Sequence, residues 1–125
     1  MKALVVPTSL NDKLYAVSFN HSNELSTTHK EIGCNSLDFV VLGKYGDYSI
    51  YASVDDCGAI NGNKINERFS MSYREYKFVY PLYGKVVITM IDNFTGDTVD
   101  LSMRLVKDTL INKLGFNKSD FTGIE

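Results

Sequence analysis

Two β-rich runs joined by a short connection constrain the fold of this chain more than any other feature. The first run, LDFVVL, covers positions 37–42, and the second, YSIYASV, covers positions 48–54. Runs of this composition on either side of glycine-containing turn residues are typical of a β-hairpin. Along the second run the more apolar side chains share one face, whereas Ser49, Tyr51 and Ser53 share the other. We therefore predict a sheet with one covered side and one wetter side.

Other segments also have strand patterns. The most apolar run, GKVVITMI at positions 84–91, predicts a strand in the centre of the sheet. The run at positions 2–6 stops at Pro7, which has no N–H to give to a neighbouring strand. Alternation from Leu14 to Phe19 predicts a second strand that pairs with this run as a hairpin. A similar alternation occurs at positions 76–80.

Two segments carry helix signals. Ser22 or Asn23 can cap a short helix that ends at Gly33. A longer helix is predicted over positions 103–114, capped by Ser102 and followed by a glycine. The apolar stripe of this longer helix consists of Met103, Val106, Leu110, Ile111 and Leu114.

The fold class follows from these elements. A chain of 125 residues with 44% hydrophobic composition is long enough for one core, so we predict a single domain over residues 1–125. Its class is α+β, with a mainly antiparallel sheet of about five to six strands packed by a C-terminal helix and a short N-terminal helix. Residues from about 117 onward are expected to form a loosely held tail.

Charge and cysteine content exclude several classes of protein. The 13 basic and 15 acidic residues give a net charge of −2, so no bulk field attracts nucleic acid or anionic lipid. The sequence contains no apolar run of the roughly 18 residues needed to span a membrane. The apolar part of its first seven residues is too short for a secretory signal, so the expected location is the cytoplasm. Cys34 and Cys57 match no zinc spacing and are predicted to be reduced thiols.

Polar residues are concentrated in one stretch, VDDCGAINGNKINERF at positions 54–69. It can be a connection whose Asn and Asp side chains satisfy their own backbone. It can also be a ligand loop, with glycines that let the backbone approach a ligand, Asn66 bound to a base or ribose, and Arg68 paired with a phosphate. Four nearby tyrosines could stack on a base, namely Tyr51, Tyr73, Tyr76 and Tyr83. The candidate ligand-binding residues are Gly58, Asn61, Gly62, Asn66, Arg68 and Tyr73.

Signals for catalysis and for metal or cofactor binding are missing from the sequence. It has neither the G-x-S-x-G nucleophile motif nor the spacing of a phosphate-binding P-loop. Nothing local activates Cys57 as a nucleophile, and the adjacent Asp55 and Asp56 point to opposite faces of an extended chain. His21 and His29 have no third ligand at metal spacing. We predict a protein that is not an enzyme and has no cofactor.

One family resemblance can be given on these residues. The chain starts MKALVV, continues through the polar stretch, and then reads YPLYGKVVITMID. It resembles a family of small proteins of unknown function found widely in tailed bacteriophages, prophages and other mobile elements. The family pattern is E-G-x-x-x-G-x-x-x-N-R; here Gly58, Gly62 and Asn66 match, whereas Glu67 separates the asparagine from Arg68. Gly84 opens the strand that follows, and the last helix begins at 101–102.

The resemblance implies an origin in a virus or mobile element. Our first hypothesis is an accessory protein that counters host defence, either by sequestering a nucleotide messenger or by docking on a host defence protein. An oligomer would favour sequestration, because a pocket between subunits can bury a ligand that one small chain cannot. The alternative is a structural protein-interaction module with no small-molecule ligand.

Overall fold

A computed structural model describes residues 1–34, 36–70 and 82–124 and has the α+β class. All strand pairs are antiparallel, in the order β2-β1-β5-β4-β3, and β6 pairs with β5. The strands are β1 (Lys2–Val6), β2 (Tyr15–Ser18), β3 (Leu37–Tyr45), β4 (Tyr48–Asp55), β5 (Val86–Asp92) and β6 (Thr98–Val99).

The predicted hairpins are confirmed. β3 pairs with β4 from Leu37 opposite Asp55 to Tyr45 opposite Tyr48, so a two-residue turn joins the strands. This turn contains Gly46 at φ 60°, a conformation that glycine adopts readily. The register shifts between Val41 and Gly43, which marks a bulge in β3. β1 and β2 form the second hairpin, and β5 lies between β1 and β4, which confirms its predicted central position.

The main core lies on one face of the sheet. Alternate residues of the strands, such as Leu4, Ile50 and Ile88, are fully buried there. Val106 and Leu110 pack into the same cluster, so the C-terminal helical segment covers this face.

The opposite face differs from the prediction of a wetter side. Ser49 and Ser53 are buried, although the sequence placed them on that side. Ala3, Val5 and Val87 form a second small cluster, against which Ile32 packs. Ile32 ends helix α1 (Glu24–Ile32), so this helix covers part of the face. The exposed part lies over β3, because Phe39 and Val41 project from that strand toward solvent.

Helix α1 ends where a glycine was expected, whereas the C-terminal helix departs from its prediction. Gly33 follows α1 with φ 77°, and its N–H donates to the His29 carbonyl. Helix α2 (Met103–Lys107) begins after Ser102, whose hydroxyl accepts from the Leu105 N–H. The predicted continuous α-helix over 103–114 is not observed: residues Asp108–Lys113 widen into a π-helix. Gly115 then has φ 78°.

The C-terminal residues pack against the core, so the prediction of a loose tail from about 117 was wrong for residues 117–124. A 3-10 helix covers Lys118–Phe121 and is capped by Asn117. Phe121 and Ile124 are buried in the main cluster. The sequence does not predict the burial of these two apolar residues, because the segment has no helical or strand periodicity. The strand pattern at positions 76–80 lies outside the described residues.

Candidate functional site

The largest cavity described, of about 400 Å³, lies where β3 begins and β4 ends. The loop that follows β4 closes one side, through Gly58 and Ala59. Apolar walls come from Val40, Val54 and Leu82. Three acidic residues also line it, Asp38, Asp55 and Asp56. We call it the acidic cavity, since no Lys, Arg or His is found among its described lining residues.

Asp55 organises the loop beside this cavity. Its Oδ1 accepts from the Cys57 N–H at 2.9 Å, and its Oδ2 accepts from the side-chain amides of Asn61 and Asn63 at 3.2 Å each. The Asp55 carbonyl also accepts from the Gly58 N–H at 3.1 Å. One buried carboxylate therefore binds the side chain of Asn61, which the sequence offered as a ligand contact, and that of Asn63. This is the pattern of an Asp that satisfies its own loop.

The two glycines of the stretch are required for different structural reasons. Gly62 has φ 79°, which favours glycine strongly, and the space around it is open. At Gly58 a Cβ atom would come within 3.0 Å of Tyr83 Cβ and 3.3 Å of the Asp55 carbonyl oxygen. Close packing between the loop and Tyr83 thus requires the absence of a side chain at Gly58.

Asn66 lies inside the protein. The side chain is completely buried, and Nδ2 is 3.2, 3.1 and 2.9 Å from the carbonyl oxygens of Val6, Pro7 and Gly84. The Oδ1 atom accepts from the Phe69 N–H at 3.4 Å, where a short helical stretch over 67–70 begins. Asn66 is therefore a helix cap and a bridge between β1 and the residues before β5.

Arg68 is also buried, and it binds segments from both ends of the chain. Nε lies 3.3 Å from Asp120 Oδ1, in an ion pair with the C-terminal 3-10 helix. The terminal nitrogens donate to the carbonyls of Ser9, at 3.3 Å, and Asp12, at 2.9 Å, in the loop between β1 and β2. A planar guanidinium suits such a set of divergent acceptors.

The structure therefore separates the predicted ligand-binding residues. Gly58 lines the acidic cavity, and Asn61 and Gly62 belong to the loop beside it. Asn66 and Arg68 have their side chains in the interior. Tyr73 and Tyr76 lie outside the described residues. Of the other two tyrosines named for stacking, Tyr83 lines the cavity, whereas Tyr51 lies in the middle of β4, opposite Val41 of β3 and Thr89 of β5.

Sequence reasoning missed Asp38. Asp38 lines the cavity because the β3–β4 register places it opposite Val54, next to Asp55 and Asp56. The signal was present in the sequence: a hairpin with a short turn fixes which residues of its two strands are neighbours.

A second cavity, of about 240 Å³, lies on the other face of the sheet between α1 and the strands. Leu25 of α1 and Phe39 of β3 both line it, with Ser53 and Ile91 among its other lining residues. Leu25 is 60% exposed, Phe39 56% and Val41 41%. We call these three apolar side chains and the cavity beside them the Phe39 surface. A cluster of this kind is typical of a protein-contact surface.

Thiol and metal chemistry have limited support in the described parts of the chain. Burial raises the pKa of the Cys34 thiol, and the Asp55 carboxylate adds to this effect, although a hydrogen bond from the Ser36 backbone opposes it. Cys34 is therefore held in the protonated, less nucleophilic form. Within residues 1–34, 36–70 and 82–124, no group of three or more His, Cys, Asp or Glu side chains is arranged to hold a metal ion.

Comparisons of the chain with protein-family models, curated proteins and solved structures returned no match. Across the described residues, no helix is long and apolar enough to cross a membrane.

Proposed function

We propose that this protein is a non-catalytic accessory protein of a bacteriophage or related mobile element. It acts in the cytoplasm of an infected or lysogenic bacterium and counters host defence by docking on a defence protein. The mobile-element origin rests on the sequence resemblance. Docking rests on the Phe39 surface, where three large apolar side chains from a helix and a strand are exposed together.

Nucleotide sequestration has less support from the geometry. The side chains that were expected to bind base and phosphate, Asn66 and Arg68, are buried among backbone carbonyls and Asp120. Three acidic residues are among those that line the cavity next to the polar stretch, and their negative charge repels the phosphates of a nucleotide. Docking on a protein needs neither of the two buried side chains.

A capture experiment tests docking. The tagged protein is incubated with lysates of bacterial hosts, with and without the mobile element, beside variants Phe39→Ser and Phe94→Ser. Phe94 is the matched control, because it is also an exposed phenylalanine but lies in the turn between β5 and β6. We expect one stoichiometric host partner that binds the wild type and Phe94→Ser and is lost with Phe39→Ser. A partner encoded by the mobile element would instead indicate an interaction module of that element.

A ligand screen on the same sample tests the alternative. Thermal unfolding is measured with cyclic dinucleotides, cyclic ADP-ribose isomers and common nucleotides. A ligand that binds only the folded state raises Tm by mass action, so docking without a nucleotide predicts no shift. A clear rise in Tm with one of these compounds would overturn the docking proposal in favour of sequestration. Measuring the molecular mass in solution on this sample shows whether a homo-oligomer forms.

A further inference from the structure

Phe39 lines both the acidic cavity and the cavity of the Phe39 surface. The two recesses are therefore neighbours, one on each side of the same strand. Adjacent residues of a strand point to opposite faces, so Asp38 and Phe39 project to different sides of β3. A partner segment that contacts both residues must lie along the edge of this strand and present side chains to both faces.

The edge of β3 offers backbone groups to such a segment. The Asp56 N–H donates to the Ser36 carbonyl at 3.0 Å, which fixes the alternation of the β3–β4 ladder. Positions 38 and 40 therefore direct their backbone groups toward β4, whereas positions 37, 39 and 41 direct theirs away from it. The Phe39 N–H agrees, since it bonds at 2.9 Å to the side chain of Asp38. In the described part of the chain, β3 is an end strand of the sheet.

Among the described residues that line the acidic cavity, the charged ones are Asp38, Asp55 and Asp56. Asp55 is buried and held by the loop, whereas Asp38 and Asp56 are exposed at the cavity. Asp56 Oδ2 accepts from the Ser36 hydroxyl at 3.4 Å, and Asp38 Oδ1 accepts from the Phe39 N–H. A carboxylate has room for about four hydrogen bonds, so both can accept further donors. A cation complements this site, and an arginine can also lie flat against an aromatic ring such as that of Tyr83.

We propose that the docking partner presents an extended segment in which a large apolar side chain lies close to an arginine or lysine. The apolar side chain packs against Phe39 and Leu25, and the basic side chain enters the acidic cavity. The partner's backbone pairs with outward groups of β3 other than the Phe39 N–H, which donates to Asp38, as in recognition by strand addition. This inference rests on the proposed docking function and specifies the chemistry of the partner.

A display library of random peptides tests this chemistry with the intact protein. We expect wild-type protein to enrich peptides that combine a large apolar residue with Arg or Lys nearby. Synthetic versions of the enriched peptides are then titrated against the double variant Asp38→Asn/Asp56→Asn. Because two carboxylates are removed, affinity should fall about tenfold or more and lose most of its dependence on salt. The paired substitution Asp97→Asn/Asp100→Asn, which removes two exposed carboxylates near β6, should leave affinity unchanged. Circular dichroism and Tm confirm that each variant is folded.

The outcomes distinguish this inference from docking itself. Enriched peptides without basic residues, or with affinities insensitive to the Asp38→Asn/Asp56→Asn change, would overturn the basic-segment inference. If such peptides, or the captured host partner, still depend on Phe39, docking stands. If no peptide is enriched, the inference is also overturned, and the capture experiment decides on docking alone.

Discussion

Asn66 joins three segments that are far apart in the sequence. Its amide nitrogen bonds carbonyls at the end of β1 and at Gly84, and its oxygen caps the helical stretch that starts at residue 67. A buried carbonyl that loses a hydrogen-bond donor is costly, so this one side chain contributes to the stability of all three segments.

Replacing Asn66 with Ala should therefore destabilise the protein. The change removes several hydrogen bonds and leaves buried carbonyls unsatisfied, so the expected loss is on the order of 3 kcal/mol of unfolding free energy. Urea denaturation measures it, with an unchanged slope indicating that the folded state is preserved. The control Asn112→Ala changes an exposed asparagine of the π-helix and should cost less than about 0.5 kcal/mol. If the Asn66→Ala variant has the same unfolding free energy as the wild type, the structural role is contradicted. Asn66 would then again be a candidate ligand contact.

The residues of the polar stretch show what sequence can and cannot predict. Its glycines and asparagines are readable as turn chemistry, because left-handed backbone and Asx bonds are local properties. Whether Asn66 faces a ligand or the interior depends on Pro7 and Gly84, which reach it only through the tertiary fold. An asparagine that caps a helix and one that binds a base have the same sequence signal.

At the scale of elements, the hairpins were predictable because each is local. The π-helix was not predictable, because it contains Thr109, which contacts Tyr45 and Gly43 of β3. These contacts join residues over 60 positions apart in the sequence. The same limit applies to the face of the sheet that was expected to be wet. Ser49 and Ser53 have the polarity of an exposed face, but both are buried: Ser53 lies near α1, and the Ser49 hydroxyl donates to Asn93.

A hydrogen bond between two titratable side chains also joins helix α1 to the sheet. The Tyr15 hydroxyl on β2 donates to Glu31 Oε2 at 2.8 Å, and Lys85 Nζ lies 3.3 Å from the same hydroxyl. Burial raises the pKa of Tyr15, the bond to Glu31 raises it further, and Lys85 opposes the shift. The folded protein therefore holds this proton more tightly than the unfolded chain does.

The predicted consequence is a loss of stability at high pH. A raised pKa contributes stability that is fully present below the ordinary tyrosine value of about 10 and is lost as the pH rises through the folded value. Wild-type unfolding free energy should fall more steeply than that of Tyr15→Phe above about pH 9. In Glu31→Gln the acceptor remains but its charge is gone, so the slope should be intermediate. Parallel pH curves for wild type and Tyr15→Phe would show that this bond does not couple to stability.

For the whole molecule, Arg68 connects the two ends of the chain. It binds carbonyls of the loop after β1 and the carboxylate of Asp120 near the C-terminus. Phe121, next to Asp120, is buried in the main core, so the ion pair and the apolar contact fix the same segment. The polar stretch is thus the place where the first and last described segments of the chain meet.

A double-mutant cycle measures this connection. Arg68→Ala, Asp120→Ala and the double variant are compared by urea denaturation. Because the two side chains are only 5% and 15% exposed, little water screens the pair, and a coupling energy of about 0.5–3 kcal/mol is expected. Arg68→Lys should recover only part of the stability, since one ammonium cannot reach both Asp120 and the loop carbonyls.

The control cycle combines Arg68→Ala with Asp97→Asn, a change at an exposed residue next to β6. The two effects should add within about 0.5 kcal/mol. Additivity in the Arg68–Asp120 cycle as well would mean that the C-terminal segment is held by its apolar residues alone.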